Sequence, residues 1–196
     1  GSSVSLIEGA LHSNGQIVLV NQNGVVFSKG SQVDAAAVTA STLNIADKAF
    51  MDGKSTYNGS GSGKIINKGM IQTNEADGFI ALLAPEVQNQ GYVLARAGGT
   101  IVMAAGEQIT LNFQGNHSLV GVNVDKAVYK ALIANKRVIE TDGGLIVLAA
   151  GAANQLMSMD KVSQAIYLGD RKKGDVGIAQ YRAGITAAIA AGDRKE

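Results

Sequence analysis

A short apolar motif that opens on glycine occurs three times in this chain. Each copy places aliphatic residues between that glycine and a closing alanine: GFIALLA at 78–84, GTIVMAA at 99–105 and GLIVLAA at 144–150. The second copy begins 21 residues after the first (99 minus 78) and the third 45 after the second (144 minus 99), which indicates one structural unit and then about two. A repeat of roughly 20 to 25 residues, made of short β-prone runs and glycine turns, is typical of a solenoid with stacked coils.

A second motif, centred on asparagine, follows the same interval. Its copies are IINKGMI at 65–71, VQNQGYV at 87–93 and IANKRVI at 133–139. The asparagines are Asn67, Asn89 and Asn135. Amide side chains that stack in successive coils can hydrogen-bond to one another along the axis. We therefore expect a structural ladder at these positions rather than a ligand site.

The composition suits a narrow interior filled by stacked aliphatic side chains. The 196 residues include 25 glycines for turns, one proline, no tryptophan and only 5% aromatic residues. A single proline leaves nearly every backbone donor free for a strand ladder. We predict an all-β fold, a parallel β-helix over residues 9–154. An antiparallel β-sandwich is the alternative, but it does not easily explain a constant interval between motifs.

Three segments depart from the repeat. Residues 47–63 are polar and rich in glycine, which predicts a loop that bulges from a coil. The segment that follows Phe113, residues 114–118, fits a small outer hairpin or loop. Apolar residues at helical spacing between Val122 and Ile133 indicate one short helix.

The last part of the chain, residues 155–196, has a different pattern. Apolar residues recur there every three to four positions, as at Leu156, Met159, Val162 and Ile166. This spacing is typical of amphipathic helices. Because the last coil of a solenoid exposes an apolar face and unpaired strands, we expect a helical cap, a protomer contact or a flexible tail here. An open end also favours end-to-end self-association.

The charge and the cysteine and histidine contents limit which partners and metal sites are expected. The 17 basic and 16 acidic residues give a net charge of +1, so nothing indicates a nucleic-acid partner. The absence of cysteine excludes a disulfide framework and fits an exported bacterial surface protein. His12 and His117 are more than a hundred residues apart and lack ligand spacing, so we expect no metal, and no motif indicates a cofactor.

Two carboxylates occupy equivalent places after successive glycine motifs. Glu86 and Glu107 are 21 residues apart, so stacking would bring them to one side of the helix within one coil spacing. Neighbouring carboxylates split their pKa values or share a cation, as polysaccharide lyases and hydrolases require. No Asp cluster or Arg completes such a site. A β-helix enzyme acting on polysaccharides is thus the alternative function, and solvated turn residues are the simpler interpretation.

A tight turn is predicted at Asn21, Gln22, Asn23 and Gly24, which separate two apolar runs. Asn-Gly in this position is a strong turn signal, since both residues tolerate positive φ. A tight turn displays backbone groups and amide side chains at low ordering cost. These four residues are our candidates for partner recognition, and closure of a coil is their other interpretation.

Several segments in order resemble one family. Residues 21–33, 40–45, 78–91 and 98–113 resemble the haemagglutination-activity, or two-partner secretion, domain of filamentous haemagglutinin-like exoproteins. The resemblance implies a right-handed parallel β-helix that a partner outer-membrane transporter recognises by its periplasmic domains and exports. Such domains stand at the head of adhesins, haemolysins and contact-dependent toxin carriers. The implied location is outside the cell or on its surface, in reach of host or neighbouring cells.

Three features depart from the family pattern, and one of them is that the chain turns basic and helical after residues 142–148, where family chains usually continue into further repeats. The family's Asn-Pro-Asn-Gly turn is here Asn21-Gln22-Asn23-Gly24, which loses the proline that fixes φ. The upstream third of the family's domain, with an Asn-Pro-Asn-Leu motif, has no counterpart before Gly1. We expect a non-enzymatic secretion and adhesion module, with residues 21–24 as the recognition turn.

Overall fold

The computed structural model of this protein describes residues 2–115, 118–126 and 131–151. Nearly all of the regular structure in these ranges is β-strand. The all-β prediction is therefore confirmed. The predicted helical cap or tail at 155–196 lies outside the described residues, as does His117.

In the described ranges, fifteen strands wind into five coils of three strands each. Coil 1 has β1 (Ser5–Ile7), β2 (Ala10–His12) and β3 (Gln16–Val20); coil 2 has β4 (Val25–Phe27), β5 (Gln32–Asp34) and β6 (Ala37–Ser41); coil 3, after an excursion that contains β7 (Thr56–Asn58), has β8 (Lys64–Asn67), β9 (Met70–Thr73) and β10 (Phe79–Leu83); coil 4 has β11 (Glu86–Asn89), β12 (Tyr92–Ala95) and β13 (Thr100–Ala105); coil 5 has β16 (Leu132–Asn135), β17 (Val138–Thr141) and β18 (Leu145–Ala150). Equivalent strands of successive coils pair in parallel and form three five-stranded sheets, here called sheets 1, 2 and 3 by strand order within the coil. The architecture is a parallel β-helix.

The interior of the helix is a column of aliphatic side chains in register. In sheet 1, for example, Val87 lies opposite Ile65 on one side and Ile133 on the other, and all three are buried. Full burial of one such side chain contributes about 1.5–3 kcal/mol. One coil cannot bury its inner face alone, so contact between coils stabilises the fold.

The second and third copies of the glycine motif begin 45 residues apart, at 99 and 144, an interval predicted to hold about two coils. It holds one coil. β13 pairs directly with β18, and Asn89 lies opposite Asn135. The extra residues form an antiparallel hairpin of β14 (Gln108–Gln114) and β15 (Ser118–Lys126). A hairpin ends close to where it begins, so it adds chain length without adding a coil. The outer hairpin expected after Phe113 is confirmed.

The excursion from coil 2 follows β6 and includes α1 (Asp47–Met51) before β7. The loop predicted at 47–63 was therefore wrong for α1 and β7, and β7 pairs antiparallel with β14. The predicted helix between Val122 and Ile133 was wrong over residues 122–126, which belong to β15. There Val122 lies opposite Leu111 and Val124 opposite Ile109, an alternation that suits a strand with one buried face.

β7, β14 and β15 form a three-stranded sheet that covers the outer face of sheet 3. In this second core, Tyr57 and Ile109 from the cover pack with the outward-facing residues of sheet 3, such as Ala81 and Val102. The strands β10 and β13 are consequently buried on both faces. Strands covered on both sides are continuous apolar runs, which explains the composition of the glycine motif.

Tyr57 provides a test of this second core. Burial raises the pKa of its hydroxyl above the ordinary value of 10.0. The native state then holds this proton more tightly than the unfolded chain, so the contribution is fully present below about pH 10 and is lost as the pH rises further. We expect the melting temperature of the wild type to fall more steeply above about pH 10 than that of Tyr57→Phe, measured by circular dichroism. Equal slopes would contradict burial of the hydroxyl.

Candidate recognition site

The turn at residues 21–24 connects β3 of coil 1 to β4 of coil 2. The backbone N–H of Gly24 donates to the carbonyl of Asn21 at 3.0 Å, and the N–H of Asn23 donates to Asn21 Oδ1 at 3.0 Å. Gly24 has a φ of +126°, where a side chain would be strained. The chain therefore makes the predicted tight turn. Of Asn23 and Gly24, only Gly24 has a positive φ, whereas both were expected to tolerate one.

Asn21 ties this turn to the first residues of coil 1. Its Nδ2 donates to the carbonyl of Ser3 at 2.9 Å and to Oγ of Ser5 at 2.8 Å. The N–H of Ser5 in turn donates to the carbonyl of Gly24 at 3.0 Å. Neither serine was predicted as part of the site, since each lies 16 or 18 residues from Asn21 and serine is common in turns. Asn21 thus has a structural role within the turn.

Gln22 and Asn23 are the exposed residues of the turn. The backbone of the turn packs directly on Gly63, the residue before β8 of coil 3. The two backbones are so close that a Cβ on Gly63 would lie 3.1 Å from the nitrogen of Gly24 and would collide with the carbonyl of Gln22. The turn therefore cannot move toward the helix without displacing coil 3. A rigid turn with exposed amides lets a partner bind at a small cost in conformational entropy.

Coil 1 presents an unpaired edge of all three sheets within the described part of the chain. β1, β2 and β3 each pair on one side only, with β4, β5 and β6. Their inward-facing apolar residues are only partly buried: Ile7, Leu11, Ile17 and Leu19. Leu6, which points outward from β1, is 55% exposed. Strand edges of this kind can pair with a strand of another protein.

The three ladder asparagines lie one above another at the corner between sheets 1 and 2. Asn67 Nδ2 donates to Asn89 Oδ1 at 2.8 Å, and Asn89 Nδ2 donates to Asn135 Oδ1 at 2.7 Å. Each Oδ1 also accepts the backbone N–H two residues later, from Gly69, Gly91 and Arg137. The amides are thus engaged with the protein itself, and they fix the corner in every coil from 3 to 5.

Glu86 and Glu107 do not stack on each other, so the expected carboxylate pair was wrong. Glu86 lies on β11, where its register partners are Lys64 and Leu132, and its Oε2 is 2.7 Å from Lys64 Nζ. Glu107 lies where the chain leaves the helix, with its Oε2 2.6 Å from Lys126 Nζ. The equivalence failed because it assumed that the chain continues around the coil after Glu107. Each carboxylate faces its own lysine rather than a second carboxylate.

Residues 2–115, 118–126 and 131–151 contain no group of three or more His, Cys, Asp or Glu residues arranged to hold a metal ion. Within the same ranges, no helix has the length and apolar character needed to span a bilayer.

Comparisons with known proteins identify the family. The family model of the TPS secretion domain matches residues 1–179. The heme/hemopexin-binding protein of Haemophilus influenzae is 27% identical over 163 residues, which are 80% of this chain and 18% of that protein. The crystal structure of the HMW1 secretion domain from Haemophilus influenzae is also similar, with a TM-score of 0.69 and 27% identity over 76% of this chain and 40% of that one. This chain therefore spans less than half of each relative. It belongs to the family of two-partner secretion (TPS) domains, whose members are exported through the periplasm and the outer membrane to the cell surface or beyond.

Proposed function

We propose that this chain is the non-enzymatic export module of a larger exoprotein and that it binds the periplasmic domains of an outer-membrane two-partner secretion transporter. Membership of the TPS family supports an export role and a transporter as the partner. The observation that carries the proposed site is the turn at 21–24 itself, which packs closely on Gly63 and exposes Gln22 and Asn23.

The mechanism we propose is β-augmentation at coil 1. The outer edges of β1, β2 and β3 offer backbone N–H and C=O groups to an incoming strand, and the partly buried Ile7, Leu11, Ile17 and Leu19 offer apolar contact area. The exposed Gln22 beside this edge supplies a polar group that sets which partner binds. Main-chain pairing would give affinity, and the turn would give specificity.

Two substitutions test the two parts of this surface. Gln22→Ala removes an exposed amide without touching the hydrogen bonds of the turn, and we expect binding to the transporter's periplasmic domains to weaken about tenfold. Leu6→Lys places a charge on the outward face of β1, which blocks edge pairing, and we expect a loss of at least tenfold. Binding is measured by isothermal titration calorimetry, with thermal unfolding to show that both variants fold.

Gln114→Ala is the matched control for Gln22→Ala. Gln114 is also an exposed glutamine, but it lies on β14 of the outer sheet, so its removal should leave transporter binding unchanged. Wild-type affinity in both Gln22→Ala and Leu6→Lys would reject this surface as the transporter site. A loss in Leu6→Lys alone would retain the edge and leave the turn as a coil closure only.

A further inference from the structure

A groove of about 470 Å³ crosses coils 2 to 5 along the corner between sheets 1 and 2. Its floor is bare backbone at Gly69 and Gly91, because a Cβ at either position would collide with the coil before it. The fifth position of the asparagine motif is therefore glycine in coils 3 and 4. In coil 5 the same position is Arg137, whose side chain borders the end of the groove.

The residues that line the groove include three cations and no carboxylate. Lys29 comes from coil 2, Lys68 from coil 3 and Arg137 from coil 5, and all three are exposed. Neither lysine forms a salt bridge with a described residue. Because adjacent coils are about 4.8 Å apart, positive side chains from three of the four coils that line the groove lie along its length. A linear ligand with repeated negative charges fits such an array.

Coil 4 places uncharged polar groups between these cations. Tyr92 is 40% exposed, its hydroxyl accepts a hydrogen bond from Arg137 Nη1 at 2.7 Å, and the guanidinium lies 5.2 Å from the ring centroid. These contacts hold Arg137 in place beside the groove. Gln90 also lines this section and contributes an amide. The groove thus has cations in coils 2, 3 and 5 and uncharged polar groups that suit hydroxyls in coil 4.

Ser31 adds a polar atom without a protein partner. The residue is 1% exposed and lines the groove, and its Oγ lies against Gly69 but has no hydrogen-bond partner in the described structure. Buried hydroxyls are nearly always hydrogen-bonded to protein, water or ligand. Because this oxygen is itself buried against Gly69, it lies beneath the floor of the groove, and we assign no ligand contact to it.

We propose that this groove binds an anionic linear polysaccharide, a sugar chain that carries sulfate or carboxylate groups. Backbone donors at the corner are already used between coils, as in Tyr92 N–H to the Gly69 carbonyl at 2.8 Å and Lys68 N–H to the Phe27 carbonyl at 2.8 Å. An acidic peptide consequently cannot add here as a strand. A polysaccharide brings its own hydroxyls and its own repeated charges, so side chains alone suffice to bind it.

Binding of the whole chain to two probes tests the proposal, heparin for sulfate and polygalacturonate for carboxylate. We expect at least one to bind, the affinity to fall as NaCl is raised, and Lys29→Ala/Lys68→Ala to weaken binding at least tenfold. The control Lys48→Ala/Lys54→Ala removes the same charge from exposed lysines in the excursion after coil 2 and should change the affinity less than twofold. Circular dichroism checks the fold of both variants.

Each outcome decides the question. A selective loss in the groove variant supports the proposal, and the probe that binds identifies the anionic group. Failure of both probes to bind, or an equal loss in the two double variants, would overturn it. If polyglutamate bound as tightly as the sugar probes and was lost in the same variant, the groove would be a site for acidic polypeptides instead.

Discussion

Asn89→Ala should lower the free energy of unfolding by roughly 3 kcal/mol, because it removes the central member of the ladder. Asn89 is buried, donates to Asn135 Oδ1 at 2.7 Å and the Val138 carbonyl at 3.1 Å, and accepts from Asn67 and from the N–H of Gly91. Alanine leaves the buried Gly91 N–H and Asn67 amide short of partners. Urea unfolding followed by circular dichroism measures the loss.

Asn135→Ala is the control for the central position. Asn135 ends the ladder in the described residues and is only half-buried, so water can replace part of its hydrogen bonding. We expect a loss of about 1 kcal/mol. Equal losses at both positions would show that burial in the middle of the ladder does not add to the cost.

Gly91→Ala should destabilise the protein by about 3 kcal/mol through overpacking. The new Cβ would meet backbone atoms of coil 3, including the carbonyl carbon of Lys68 at 2.8 Å and the nitrogen of Gly69 at 2.9 Å. Backbone atoms cannot rotate away as a side chain does, so the coils must separate. Urea unfolding measures the loss, and hydrogen exchange at Tyr92 reports on the hydrogen bond that spans the same corner.

The chain already contains a comparison for this substitution. Where the corner has glycine, Tyr92 N–H donates to the Gly69 carbonyl at 2.8 Å; where it has Arg137, Val138 N–H donates to the Gly91 carbonyl at 3.3 Å. Gly9→Ala is the control, since nothing lies within 4 Å of its Cβ position, and we expect a change within about 0.5 kcal/mol. A Gly91→Ala variant as stable as Gly9→Ala would contradict the close packing of the corner.

The repeat predicted the strand register of coils 3 to 5, because equivalent residues of successive coils lie opposite one another in a parallel β-helix. Asn67, Asn89 and Asn135 were aligned from the sequence, and the strands pair in that alignment. The outer sheet was harder to predict, since Ile109, Leu111, Val122 and Val124 alternate as coil strands do. The alternation of apolar residues within one strand does not distinguish parallel pairing with a neighbouring coil from antiparallel pairing with a hairpin partner.

The candidate site likewise has one part that the sequence predicted and other parts that it did not. The turn at 21–24 has a local signature, Asn-Gly between apolar runs, and could be predicted. The anchoring of Asn21 by Ser3 and Ser5 depends on contacts between coils and left no sequence signal. The alignment of Lys29, Lys68 and Arg137 along one corner was not predicted, because the two extra residues between Phe27 and Gln32 had to be placed in three dimensions first.

The pairing of β7 with β14 sets an order of assembly. About fifty residues separate the two strands. In a chain that folds from its amino end, coils 1 to 3 can therefore stack while the outer face of β10 is still exposed to water. The cover packs against strands of sheet 3 from four coils, from Ala37 in coil 2 to Ala149 in coil 5. Because one outer sheet contacts all of these coils, we expect it to detach before coil 2 unwinds. We therefore expect unfolding to be slower than in a β-helix without such a cover.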